Sequence, residues 1–169
     1  MQRLVIAVVI GVLLAPLLAL TGCGGGGGGS GMGDPYEARV VLTNVITAGF
    51  EDDFAKARPH LDVVEWLTMI QDPARATYGT AAPAEQEELA RRFFGMVKQV
   101  TEFSDLPDSA SIHNAVKSAT EEVSPQLKVV MFRFSAPDKE KPGRMINVVS
   151  KMRYTTSGTW QICNIQAEW

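Results

Sequence analysis

The 169-residue sequence predicts an α+β fold, with helices first in the chain and an antiparallel sheet after them. Three observations carry this. Between Asp34 and about Phe103, apolar residues recur at i, i+3, i+4 and i+7, one stripe of a helix. From about Leu127 the period shortens to two, as in strands with one buried face. The period-two segments are joined by short polar connections containing glycine, so neighbours in sequence pair as hairpins. Together these describe N-terminal helices packed on a three- to four-stranded antiparallel meander.

The first helix opens at "DPYE", with Asp34 as N-cap, Pro35 at the first helical position and Glu37 three residues after the cap. Ala38, Val41, Leu42, Val45, Ile46 and Gly49 form its apolar face, and Gly49 is expected to end it. Phe50, Phe54 and Ala57 share one face of a short second helix, stopped at Pro59. Asp62 and Glu65 repeat the capping pattern before a third helix, in which Val63, Leu67 and Ile70 line one side beside Trp66 and which Asp72-Pro73 closes. Residues 74–82 are small and polar, a loop. Pro83 opens the longest helix, which runs to about Phe103 with Leu89, Phe93, Met96, Val97 and Val100 at helical spacing and Glu85, Glu87 and Glu88 near its positive end.

After "SDLPDS" the period changes, and Ser111–Lys117 reads as a short strand. Leu127–Ala136 is a strand with Val130, Phe132 and Phe134 on one face. Arg144–Thr155 is another, with Ile146, Val148, Met152 and Tyr154 on one face and Asn147, Lys151 and Arg153 on the other. "TTSGT" turns the chain into the last strand, Trp160–Trp169, and the sequence contains no internal repeat.

Hydrophobic residues make up 46% of the chain and charged residues 21%, proportions that suit one globular core. Net charge is -3, and the sequence holds no block of five like charges, so it lacks the basic footprint of a nucleic-acid binder. His60 and His113 have no second His or Cys at metal-ligand spacing, and neither a metal nor a cofactor is expected.

The first 22 residues carry one cation, Arg3, followed by an apolar run, the layout of a secretory signal peptide. The run of about 17 residues is at the lower limit for spanning a bilayer, so a retained transmembrane anchor is the competing reading; Pro16 weighs against it. At its end, Leu20-Thr21-Gly22-Cys23 resembles the bacterial lipobox at all four positions. That resemblance implies cleavage between Gly22 and Cys23 and a lipid on the Cys23 thiol. Two or three acyl chains hold a protein on a membrane far more firmly than one. Residue 24 is Gly rather than Asp, which under the enterobacterial sorting rule favours the outer over the inner membrane. The chain then divides into a signal peptide (1–22), a lipidated cysteine with a Gly-rich tether (23–33) and one α+β domain (34–169).

The order of elements in that domain resembles the nuclear-transport-factor-2-like, or cystatin-like, fold of small bacterial lipoproteins. The residues that carry the likeness are the opening helix, the "GFEDDFAKA" segment and the closing "SGTWQICNIQ", in which Gly158 precedes Trp160. The likeness implies a sheet that curves around the helices and often leaves a pocket. That fold serves isomerases, dehydratases, ligand carriers and structural modules alike, so it does not fix function.

Candidate chemistry is sparse. An isomerase-like site would need a buried base and a neutral donor, for which Asp53 (or Asp52) and Tyr154 are the available pair; solvated helix-start carboxylates and a core tyrosine are the plainer reading. His113 and His60 lack partners, and Cys163, between Ile162 and Ile165, reads as a small buried hydrophobe. No Gly-x-Ser-x-Gly elbow occurs, and the Gly24–Gly29 run follows no strand and opens no helix, unlike a phosphate loop. Trp66, Phe93, Phe132, Tyr154 and Trp160 are the candidate lining of an apolar pocket, unless they simply fill the core. The expectation is a non-catalytic, membrane-anchored extracytoplasmic domain that binds an envelope protein or a small apolar ligand. A periplasmic apolar-ligand carrier is the alternative, and an isomerase or dehydratase the remote one.

Overall fold

The computed structural model describes residues 31–168. Five helices pack on a four-stranded antiparallel sheet whose strands follow in sequence order, so the fold is α+β and the sheet a meander. Helix α1 spans Pro35–Phe50, and the Asp34 carboxylate accepts the Tyr36 amide at 2.9 Å as its N-cap. Its inner stripe is Ala38, Leu42, Val45, Ile46 and Gly49, with Ala48 added and Val41 half-buried.

Gly49 does not end α1, as the sequence suggested; the turn is made by Asp52, which adopts the left-handed region at φ 57°. The Asp53 amide donates to the Ala48 carbonyl and the Asp52 amide to that of Gly49, the paired bonds of a Schellman cap. A short polar side chain tolerates that conformation. Gly49 answers another demand: a Cβ there would fall 2.9 Å from Val97 Cγ1, so its absence lets α1 lie close on the long helix.

Helix α2 is the single turn Phe54–Ala57, capped by Asp53 and continued by a 3-10 turn over Arg58–His60 that contains Pro59. Helix α3 is Val63–Met69 and is capped by Asp62, which accepts the Glu65 amide at 3.1 Å. The expected reciprocal bond from Glu65 is replaced: the Asp62 amide donates to the Ile162 carbonyl in the sheet. Two 3-10 turns occupy the loop after α3, at Pro73–Ala76 and Tyr78–Thr80. Helix α4, Pro83–Phe103, buries Leu89, Ala90, Phe93, Phe94, Val97 and Val100.

The segment expected as a first strand is instead helix α5, Ser109–Lys117. The Asp108 carboxylate caps it by accepting the Ser111 amide at 2.7 Å, and Ile112 and Val116, four residues apart, are fully buried. That spacing fits one face of a helix and one face of a strand alike, and the cap outside the segment decides its state. The true first strand, β1 (Thr120–Ser124), lies just downstream, with exposed side chains along nearly its whole length. Strands β2 (Val129–Pro137), β3 (Met145–Tyr154) and β4 (Trp160–Glu168) follow the expected segments. A bulge places Cys163 as the extra residue of β4 between the pairs Lys151–Asn164 and Met152–Ile162.

The core lies between the helices and one sheet face, where Val130, Phe132, Phe134, Ile146, Val148, Met152, Ile162 and Ile165 are buried. Among the described residues, no helix is long and apolar enough to cross a membrane.

Candidate functional site

The five candidate pocket residues are packed at three separate places. Trp66 of α3 stacks on Phe93 of α4 with ring centroids 5.0 Å apart and planes 1° from parallel, and both are buried. The Trp66 indole N–H donates to the Met96 sulfur at 3.2 Å. Phe132 is buried on β2 beneath the guanidinium of Arg39, 5.0 Å from its ring centre. Tyr154 and Trp160 form the last cross-strand pair of β3 and β4, with centroids 5.2 Å apart; Trp160 is buried and Tyr154 half-buried. Cys23 and Gly22, with the rest of the segment that resembles a lipobox, lie outside the described residues.

The acid–base pair imagined from the sequence is not assembled. Gly33, just before α1, abuts Tyr154, whereas Asp53 lies beyond the other end of that 16-residue helix, roughly 24 Å away. Asp53 accepts the Lys56 amide as a cap, and Asp52 pairs with Lys98 at 2.8 Å. His60 closes the 3-10 turn after α2. Cys163 is buried and donates to the Lys151 carbonyl at 3.2 Å; burial pushes its thiol up from 9.0 to about 12, so almost no nucleophilic thiolate forms near neutrality.

Asp62, Glu65, Lys151 and Arg153 form an ionic roof around this cysteine, with Arg153 forked onto the buried Asp62 carboxylate and Lys151 3.3 Å from Glu65. The roof ties α3 to the sheet. A second ion pair, Arg144 with the buried carboxylate of Asp138, closes the β2–β3 loop, where Asp138 also accepts the amides of Glu140 and Lys141.

The better candidate for binding is a groove of about 260 Å³ between α1 and α5. Tyr36 and Val40, both exposed, give it an apolar wall, while Thr43, Asn44, His113 and Lys117 offer polar groups around it. Its floor is Arg39, which is held from several sides: Nη1 donates to the carbonyls of Val116, Lys117 and Ala119 at 2.6, 3.1 and 3.2 Å, and Nη2 to Glu121 at 2.8 Å. Arg39 thereby satisfies the orphan carbonyls at the C-terminal end of α5 and joins that end to α1 and β1. The helix that replaces the expected strand brings His113 here, four residues before Lys117. Sequence reasoning missed Arg39; the one signal was a cation beside Ala38 at the edge of an otherwise apolar stripe.

The groove is lined by helix surfaces and offers the polar groups of Thr43, Asn44 and His113 and the Lys117 ammonium, while Arg39 is committed to the carbonyls at the end of α5 and to Glu121. Chemically it can hold a short amphipathic segment or a small ligand, and it contains no arranged nucleophile and base. No family model matches the chain, and no curated protein matches it.

Proposed function

We propose that this chain is a bacterial lipoprotein, anchored through lipid on Cys23 to the extracytoplasmic face of the cell membrane or outer membrane. Its nuclear-transport-factor-2-like or cystatin-like domain serves as a non-catalytic binding module. The observation that carries the reading is the lipobox match, Leu20-Thr21-Gly22-Cys23, placed directly after a cation and an apolar run. The Cys23 thiol and the buried Cys163 thiol have opposite prospects: one is the attachment atom the motif requires, the other is sealed in the sheet. The α1–α5 groove is the proposed contact for an envelope protein or small ligand, since apolar wall and polar rim together are what recognition uses.

Cys23→Ala tests the anchor. Labelled palmitate should no longer be incorporated, and the domain should either leave the membrane fraction or persist as uncleaved precursor. Unchanged labelling and fractionation would refute it. A photo-crosslinking residue at Val40 should trap a species in cells that the same residue at Glu122, on β1, does not.

A further inference from the structure

We infer that the anchored domain turns one particular end toward the bilayer: the sheet end carrying the β1–β2 connection and the β3–β4 turn, with Leu127 entering the interface. The inference rests on the lipid anchor proposed above and adds orientation and contact residues to it.

The first observation is where the chain joins the domain. Met32 packs against the core, and Gly33 sits so close to the terminal aromatic pair that a Cβ would fall 2.3 Å from Tyr154 Cε2 and 2.9 Å from Trp160 Nε1. Only glycine fits there, so the route from Cys23 enters the domain beside Tyr154 and Trp160. These two residues are the last pair between β3 and β4.

The second observation is what else that end carries. Ser124–Val129 is the last pair between β1 and β2, and the Tyr154 amide donates to the Lys128 carbonyl at 2.8 Å. The 3-10 turn Pro125–Leu127 therefore lies at the same end. Its tip is apolar and in water: Leu127 is 71% exposed, and Val123 beside it and Tyr36 at the start of α1 are exposed too. Lys128 follows Leu127 directly, also exposed. An apolar tip with an adjacent cation suits an interface whose acyl boundary accepts the first and whose phosphates accept the second. Asp34 and Glu37 flank Tyr36, so this end carries both signs of charge, and burial of Leu127 rather than lipid charge decides the contact.

Chain length supplies the third argument. Nine Cα–Cα steps from Cys23 to Met32 cannot exceed about 32 Å. Strand β3 alone, ten residues, is about 31 Å long. For the opposite end, with the β2–β3 loop at residues 138–144, to meet the membrane, that whole length would have to run straight along the domain with no slack. The end nearest Gly33 needs none of it.

The test uses the full lipidated chain carrying Gln126→Cys or Glu140→Cys, each labelled with a fluorophore. Each is reconstituted into phosphatidylethanolamine–phosphatidylglycerol vesicles containing brominated lipids. Cys163 is buried and stays unlabelled. The label at 126 should be quenched at least about threefold more than the label at 140, and Leu127→Glu beside it should remove most of that difference. Equal quenching at both positions, or stronger quenching at 140, on protein that remains vesicle-bound overturns the orientation while leaving the anchor standing. Labelled palmitate incorporation that survives Cys23→Ala overturns the anchor and this inference with it.

Discussion

Replacing Arg39 by alanine should destabilise the domain by about 3 kcal/mol, because one side chain serves as the cap of α5, as a link to β1 and as a lid on Phe132. The guanidinium is mostly buried, its side chain 19% exposed, and it donates to three carbonyls at the end of α5. Each hydrogen bond from a charged donor contributes about 1.5–3 kcal/mol when its partner is left dry, but water reaches the Lys117 carbonyl and part of the other two, so the three together contribute about 2 kcal/mol. Stacking over Phe132 at 5.0 Å adds about 0.5–1 kcal/mol. The Glu121 pair adds less than about 1 kcal/mol, since that carboxylate is well exposed. Equilibrium urea unfolding followed by the fluorescence of Trp66 and Trp160 measures the sum, and at a slope of about 2 kcal/mol per molar it moves the midpoint by about 1.5 M. Arg39→Lys keeps the charge but loses the planar fork, so it should recover no more than about half of the loss. Glu121→Gln should cost under about 1 kcal/mol. The reasoning is refuted if Arg39→Ala falls within about 0.5 kcal/mol of the parent, or if Arg39→Lys is as stable as arginine.

Two further predictions concern charge and protonation. With its thiol raised by burial from 9.0 to about 12, Cys163 should react with a thiol reagent at pH 8 about a thousandfold more slowly than an exposed cysteine, and rapidly once urea unfolds the domain. Rapid modification of the native protein would contradict that burial. Asp138 behaves oppositely: burial alone would raise its carboxyl, but the Glu140 amide, the Arg144 side chain and the Lys141 amide outweigh that and hold it below the ordinary 3.8. Its contribution to stability is therefore complete above pH 3.8 and fades as the pH falls through the depressed value. Asp138→Asn should lower the melting temperature at neutral pH and flatten its decline below pH 4. A parallel acid decline in parent and variant would rule that assignment out.

What the sequence revealed follows the strength of its periodic signals. The helices α1, α3 and α4 and the strands β2, β3 and β4 each bury a stripe with the right period, and each was readable within a few residues. α5 was not, because in a nine-residue segment two buried positions, Ile112 and Val116, are too few to separate a period of 3.6 from one of two. Its helical state depends on Asp108 at one end and on Arg39, 77 residues earlier than Val116, at the other. β1 had no side-chain pattern to read, since it is an edge strand specified by backbone pairing with β2. Gly49 carried a true signal with the wrong cause. It marks the place where α1 touches Val97, while the left-handed turn falls three residues later on Asp52.

The α1–α5 groove was hidden for the same reason as α5. A groove is a relation between two surfaces, and here one of them reads as a strand in the sequence, a reading that gives His113 and Lys117 no neighbours on α1. Aromatic residues drew attention instead, yet large rings at helical or strand spacing are what a core needs, and Trp66 against Phe93 meets that need fully. Gly33 is the converse case. In sequence it is the last of several glycines and reads as tether; in the structure it is the point where the chain is fitted against Tyr154 and Trp160. A glycine seated against two aromatic rings fixes where the chain enters the domain. The residue that reads as spacer in the sequence therefore sets the start of α1, and Tyr36, which lines the α1–α5 groove, stands three residues beyond that seat.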